Sequence, residues 1–96
     1  MQFELRYSDE ANETLNRLEA QNDRRLAKVQ KALGMMQTDL RNKGLKTHKF
    51  SSLRGPNGEE VFEAYVENNT PGAYRVFWHY GPGKGVLSII SIIPHP

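Results

Sequence analysis

The sequence predicts an α+β domain of order β-α-α-β-β-β, in which a helical hairpin packs on an antiparallel sheet. In the N-terminal half, apolar residues recur every three or four positions over two stretches, as on the buried side of amphipathic helices. The C-terminal half holds three apolar runs separated by turns rich in Asn, Pro and Gly, which is typical of consecutive antiparallel strands. With 96 residues, the chain fits a single domain over 1–96.

The N-terminal half is predicted to hold one short strand and both helices. Residues 3–7 alternate between apolar and charged types, as in a strand with one buried face. Ser8 is suited to cap a first helix, which ends near residue 21. A second helix runs from residue 22 or 23 to about residue 42, and Gly44 suits a left-handed C-terminal cap.

A basic connector, residues 45–54, follows the helices and is predicted to be a loop. Its apolar residues are expected to anchor it to the core while its charged side chains face outwards. Three strands are then predicted at about 60–67, 73–80 and 86–93, joined by short turns.

Composition narrows the class of protein. A hydrophobic content of 38% and a charged content of 25% are typical of a soluble globular domain. The chain has no cysteine, which excludes disulfides and a thiol nucleophile, and its three histidines lack the spacing of metal ligands. Neither a membrane-spanning run nor a signal peptide is evident, so we expect a cytoplasmic protein that needs no metal or cofactor.

Positive charge is concentrated in one segment. Residues 24–54 carry a net charge of +8, whereas residues 1–23 sum to −4 and residues 55–96 to −2. Such asymmetry suits contact with a polyanion, because each neutralised phosphate releases counterions. The alternative is a solvated helix face followed by a basic loop.

The strand at 73–80 carries an arginine where a buried strand usually has an apolar side chain. Alternation places Arg75, Phe77 and His79 on one face, and Tyr74, Val76, Trp78 and Tyr80 on the other, which is predicted to be core. An arginine can hold a phosphate with a bidentate, permanently charged fork. The alternative is an exposed strand residue that pairs with Glu63 or Glu67 on the next strand.

Further candidates lie in the connector and at the C-terminus. The connector residues Lys46, His48, Lys49 and Arg54 would neutralise a phosphate near Arg75 or, alternatively, form a solvated loop. His95 stands between two prolines, which restrict its backbone, and would protonate a leaving oxygen near neutral pH. A terminal histidine can equally be a plain surface residue.

Three motifs in this order resemble the RelE/ParE superfamily, the toxins of bacterial type II toxin–antitoxin systems. They are Leu-Lys-Thr-His-Lys-Phe at 45–50, Gly-Ala-Tyr-Arg-Val-Phe at 72–77, and the histidine near the C-terminus. The likeness covers almost the whole chain and implies the fold given above. It also implies an antitoxin as a partner.

The RelE branch, which includes the YoeB type, implies cleavage of mRNA in the ribosomal A site without metal. There, the ribose 2′-hydroxyl attacks the adjacent phosphate and leaves a 2′,3′-cyclic phosphate. By this resemblance Arg75 would stabilise the phosphate, and His95 would be the general acid. Lys46 and Lys49 would contact RNA, and we extend that expectation to His48, Arg54 and His79.

Two departures from the YoeB pattern keep other functions open. The chain ends in Pro96 where those toxins have a tyrosine, and residues 43–44 are Lys-Gly where they carry the general-base glutamate. Glu63 is our substitute for that base. The alternatives are a ParE-like, non-catalytic inhibitor of DNA gyrase and an inactive member of the superfamily.

Overall fold

The protein folds as two helices against one face of a five-stranded sheet. A computed structural model describes residues 2–68 and 70–94. In chain order the elements are β1 (Glu4–Tyr7), α1 (Asp9–Ala20), α2 (Arg25–Thr38), a 3-10 turn (Lys43–Leu45), β2 (His48–Arg54), β3 (Glu60–Tyr65), β4 (Tyr74–Tyr80) and β5 (Val86–Pro94). Neither helix in this part of the chain has the length and apolar composition needed to cross a bilayer.

The sheet has the strand order β1-β5-β4-β3-β2. The predicted antiparallel meander is confirmed, since β3, β4 and β5 pair antiparallel in sequence order. β1 pairs in parallel with β5, so the complete sheet is mixed. The two helices between β1 and β2 carry the chain over the sheet face, and β1 thereby lies at the edge opposite β2.

The prediction that residues 45–54 form a loop is wrong for most of that segment. Residues 48–54 form the edge strand β2, which pairs antiparallel with β3. Nearly all β2 side chains are exposed, so no apolar alternation reveals the strand in the sequence. Between Lys49 and Arg54 the pairing shifts, and five residue steps of β2 lie beside only two steps of β3. This irregularity bends β2 as a bulge does.

The first helix starts at its capping group, whereas the N-cap residue of α2, Arg24, makes no side-chain capping bond. The Ser8 hydroxyl accepts a hydrogen bond from the Ala11 backbone N–H at 3.0 Å, as predicted for the α1 N-cap. At the start of α2 the Asp23 carboxylate accepts hydrogen bonds from the Arg25 side chain and backbone, which lower the pKa of Asp23 to about 2.

The second helix is shorter than predicted. It ends at Thr38 rather than near residue 42, and the left-handed residue of the following turn is Lys46, not Gly44. The Asn42 side chain accepts a hydrogen bond from the Gly44 N–H at 2.8 Å. Asn42 thereby caps the 3-10 turn that follows the helix.

The core lies between the helices and one face of the sheet. Trp78 at its centre is fully buried and stacks on Phe62, with 5.7 Å between ring centroids. The other buried apolar residues of this cluster are Ala11, Leu18, Val29, Ala32, Leu33, Met36, Leu45, Ala64, Tyr74, Val76, Leu87, Ile89 and Ile92. The predicted core face of β4 is thus confirmed except at Tyr80, which is exposed.

Candidate functional site

The candidate site lies on the sheet face that points away from the helices, here called the outer face. Strand alternation predicts that Arg75, Phe77 and His79 lie on this face. The sequence alone predicts that the face is exposed to solvent. All three are buried instead, with at most 7% exposure. Phe50 of the bent β2 packs against Phe77 with 4.9 Å between ring centroids, and His79 lies beside Glu59. The outer face is therefore a partly covered groove.

Arg75 and Glu63 form the charged centre of this groove. Arg75 Nε lies 3.7 Å from Glu63 Oε2, and both side chains are 8% exposed. Among the described residues, neither Nε nor Nη1 of Arg75 has a hydrogen-bond partner. Buried donors without hydrogen-bond partners are costly, so an anionic group that reaches them would relieve that cost.

Glu63 also contacts His48, the residue directly opposite it on β2. His48 Nε2 lies 2.7 Å from Glu63 Oε1, and His48 Nδ1 lies 2.8 Å from the Lys46 carbonyl oxygen. Because a carbonyl only accepts, Nδ1 must carry a proton. The second ring nitrogen, Nε2, faces the carboxylate. The His48 side chain is 44% exposed, so it links the buried Glu63 side chain to solvent.

The Tyr65 ring lies next to the three basic side chains of the site. The Arg75 guanidinium carbon lies 3.8 Å from the centroid of the Tyr65 ring, a cation–π contact. The His48 ring meets Tyr65 edge to face at 5.7 Å, and Lys46 Nζ lies 6.0 Å from the ring centroid. Tyr65 is not among the candidate residues named from the sequence. Its signal in the sequence is its position two residues after Glu63, which places both on the same face of β3.

Lys49 and Arg54 do not join this cluster. Lys49 pairs with Phe62, whose ring lies on the helix side, and its Nζ is 3.1 Å from Glu60. Arg54 is opposite Glu60 at the far end of β2. Both are exposed. His95 lies outside the described residues.

His79 belongs to the other half of the outer face. It is four residues from Arg75, or about 13 Å along an extended strand. Its Nδ1 donates to the Tyr80 carbonyl oxygen at 3.0 Å and lies 3.9 Å from Glu59 Oε2. Backbone N–H groups of Glu59 and Asn57 hold the pKa of the Glu59 carboxyl below its usual range. His79 therefore lies apart from the Arg75 cluster, and its predicted contact with RNA stays a prediction.

The basic segment divides between two faces. α2 packs its apolar side on the sheet face opposite the outer face. The exposed cationic residues of α2 therefore lie on the other side of the sheet from Arg75. Only the residues after Leu45 approach the outer face. Within residues 2–68 and 70–94, no three histidine or acidic side chains converge as metal ligands do.

Comparison with solved structures identifies the fold. The archaeal RelE in complex with RelB from Pyrococcus horikoshii aligns with a TM-score of 0.66 and 14% identity, over 98% of this chain and 96% of that one. YafQ in the E. coli DinJ–YafQ toxin–antitoxin complex aligns at 0.66 and 13%, over 99% and 94%. This chain has the RelE-type toxin fold. YoeB from Staphylococcus aureus, solved as a dimer, aligns at 0.62 and 18% over the full length of both chains.

These matches come from the comparison of three-dimensional structures. No protein-family model matches the sequence. No curated protein matches it either. The fold predicted from the motifs is nevertheless confirmed, since the RelE-type structures share the two helices and the mixed sheet over almost the whole chain.

Proposed function

We propose that this chain is the toxin of a type II toxin–antitoxin module and that it cleaves mRNA on the ribosome without metal. The buried Arg75, with two N–H groups unpaired among the described residues and the Glu63–His48 pair beside it, carries the proposal. Two solved structures of the same fold support it, since they are complexes of RelE with RelB and of YafQ with DinJ. By the same likeness, an antitoxin is the proposed protein partner.

The proposed reaction is an internal attack of the ribose 2′-oxygen on the adjacent phosphate. The bond from phosphorus to the 2′-oxygen forms, and the bond to the 5′-oxygen of the next nucleotide breaks. The products are a 2′,3′-cyclic phosphate and a free 5′-hydroxyl. The reaction needs a group that takes the 2′ proton, a cation for the phosphate and a group that protonates the 5′-oxygen.

Each requirement has a proposed residue. Arg75 donates its free N–H groups to the non-bridging phosphate oxygens. The Glu63–His48 pair takes the 2′ proton, with the carboxylate as base and the exposed imidazole as its link to solvent. His95 protonates the leaving oxygen; it is bonded to Pro94, the β5 residue opposite Tyr74. Lys46 and the more distant Lys49 and Arg54 hold neighbouring RNA phosphates.

Inducible expression in a bacterium tests this function. We expect growth arrest, together with cuts in a reporter mRNA mapped by primer extension, and 2′,3′-cyclic phosphate at the new ends. The matched control is the same reporter without its start codon, which should stay intact because it is not translated. Arrest without cuts would contradict RNA cleavage and favour gyrase inhibition or another binding function. Absence of arrest at verified expression would favour an inactive member.

Exchange of Tyr65 tests whether its ring positions the cationic groups. Tyr65→Leu removes the aromatic face under Arg75, and we expect about tenfold slower cleavage, since a desolvated cation–π contact contributes roughly 1–2 kcal/mol. Tyr65→Phe keeps the face and should cleave within about twofold of the wild-type rate. Single-turnover cleavage on programmed ribosomes measures both. Equal loss in the two variants would assign the effect to the hydroxyl group instead.

A further inference from the structure

A pocket of about 430 Å³ adjoins Arg75 on the outer face. Its apolar walls are Phe50 and Leu53 of β2, Phe77 of β4 and Ile93 of β5, while Arg75 and Glu63 form its polar end. We call these six residues the apolar pocket. Its volume and its few convergent polar groups are typical of small-molecule sites, which span roughly 300–1,000 Å³.

The bend of β2 creates this pocket. The irregular pairing between Lys49 and Arg54 carries Phe50 and Leu53 over the outer face, where Phe50 rests on Phe77. Leu53 and Ile93 line the pocket and remain 39% and 41% exposed. An apolar group bound in this pocket would therefore cover the exposed parts of Leu53 and Ile93 and remove that apolar surface from water.

The polar end limits what the occupant can be. Arg75 is 7% exposed, and within the described part of the chain its Nε and Nη1 groups have no acceptor. A purely aliphatic occupant would leave those donors unpaired. A ligand that fits both ends carries an anion and, a short distance away, a flat apolar group. A nucleotide has both, because its phosphate can meet Arg75 while its base packs on aromatic and aliphatic side chains.

We propose that the apolar pocket receives one nucleobase of the RNA, next to the phosphate that Arg75 holds. The inference rests on the proposed function and adds a contact to it. The protein would then bind the nucleotide at two points, the phosphate and the base. Binding at both points would orient the ribose toward the Glu63–His48 pair. Base stacking of this kind typically changes affinity about 5- to 150-fold.

A nucleotide titration followed by protein NMR tests the pocket directly. The probes are adenosine 5′-monophosphate and uridine 5′-monophosphate, with ribose 5-phosphate as the control that lacks a base. We expect at least one nucleotide to shift the amide signals of residues 52–53 and 93, and to bind at least about fivefold more tightly than ribose 5-phosphate. Equal affinity for all three probes, or no shift in those segments, would overturn the proposal.

Variants of two apolar pocket residues test whether those residues contact the base. Leu53→Ser and Ile93→Ser remove exposed apolar groups, so both should fold, as the NMR spectrum would show. We expect each to reduce the advantage of the nucleotide over ribose 5-phosphate at least threefold. The matched control Tyr80→Ser removes an exposed apolar side chain at the other end of β4 and should leave that advantage unchanged. Unchanged binding in both pocket variants would contradict the assignment.

Failure of this inference differs from failure of the proposed function. If wild-type protein cuts mRNA but binds the nucleotides no better than ribose 5-phosphate, the function stands and the base pocket is wrong. The pocket would then be open to another occupant, such as an apolar side chain of an antitoxin. If the nucleotides bind through their base but no mRNA is cut, the pocket stands and the nuclease assignment is wrong.

Discussion

Replacing Arg75 with alanine is expected to slow mRNA cleavage by at least about 100-fold, the usual cost of removing a preorganised charge-stabilising donor. The variant loses the guanidinium that faces the phosphate in the proposed reaction, while Glu63 and His48 remain in place. Single-turnover cleavage on programmed ribosomes gives the rate. Growth of cells that express the variant gives a second, independent readout.

Arg75→Lys separates charge from geometry. Lysine keeps one positive charge but lacks the planar fork, so we expect cleavage at least about tenfold below wild type and above the alanine variant. Arg17→Ala is the matched control, because Arg17 is exposed on α1 in the helix layer, away from the outer face. Wild-type cleavage in Arg75→Ala, in protein shown to be folded, would remove Arg75 from the reaction.

The folded state of the Arg75 variant needs its own control. Removing the cation leaves the buried Glu63 carboxylate without its permanently charged partner and with His48 as its remaining side-chain contact at ion-pair distance among the described residues, which destabilises the sheet. Arg75→Ala combined with Glu63→Gln removes the uncompensated charge. We expect this double variant to unfold at a higher urea concentration than Arg75→Ala and to remain inactive. Recovery of cleavage in the double variant would contradict the proposed base.

Replacing Trp78 with alanine is expected to lower the free energy of unfolding by about 3–5 kcal/mol. Trp78 is fully buried between the helices and the sheet and stacks on Phe62, so truncation leaves a large cavity. Domains of this size typically have only about 5–15 kcal/mol of stability. Urea unfolding followed by circular dichroism measures the loss. Leu53→Ala, at an exposed residue, is the control and should change the free energy of unfolding by at most about 1 kcal/mol.

Trp78→Phe should be much milder than truncation to alanine. Trp78 Nε1 is buried without a hydrogen-bond partner in the described structure. Phenylalanine leaves a smaller cavity and also removes that unpaired donor, whose burial costs about 1–3 kcal/mol. The two effects oppose each other, so we expect a net change within about 1.5 kcal/mol of wild type. A loss as large as that of alanine would mean that Nε1 has a partner, such as a bound water.

Local patterns in the sequence determined much of the architecture. Apolar periodicity and the Ser8 cap gave α1 within one residue of each boundary, and the meander strands within about two residues. Strand alternation also placed Arg75 on the face opposite Trp78. These features depend on backbone geometry over a few residues and on which side chains face the core. Both leave a regular period in the sequence.

The site itself was decided by the tertiary structure. β2 has mostly exposed side chains and gains its structure from pairing with β3, so residues 48–54 show no strand period. Sequence reasoning proposed Glu63 as a base but could not see that His48 stands opposite it, or that Tyr65 lies under Arg75. It also could not show that His79, on the same strand face as Arg75, stands beside Glu59 instead.

The burial of Arg75 likewise depends partly on a local sequence pattern and partly on the tertiary structure. Its position on the outer face was readable from alternation, but the cover over that face was not. The bend of β2 supplies the cover and the apolar pocket, and it arises from a local mismatch in the pairing of β2 with β3. Registers between strands are set by hydrogen bonds and packing across the whole sheet. For that reason the sequence alone determined which residues could do chemistry here, and only the folded sheet decided which of them meet.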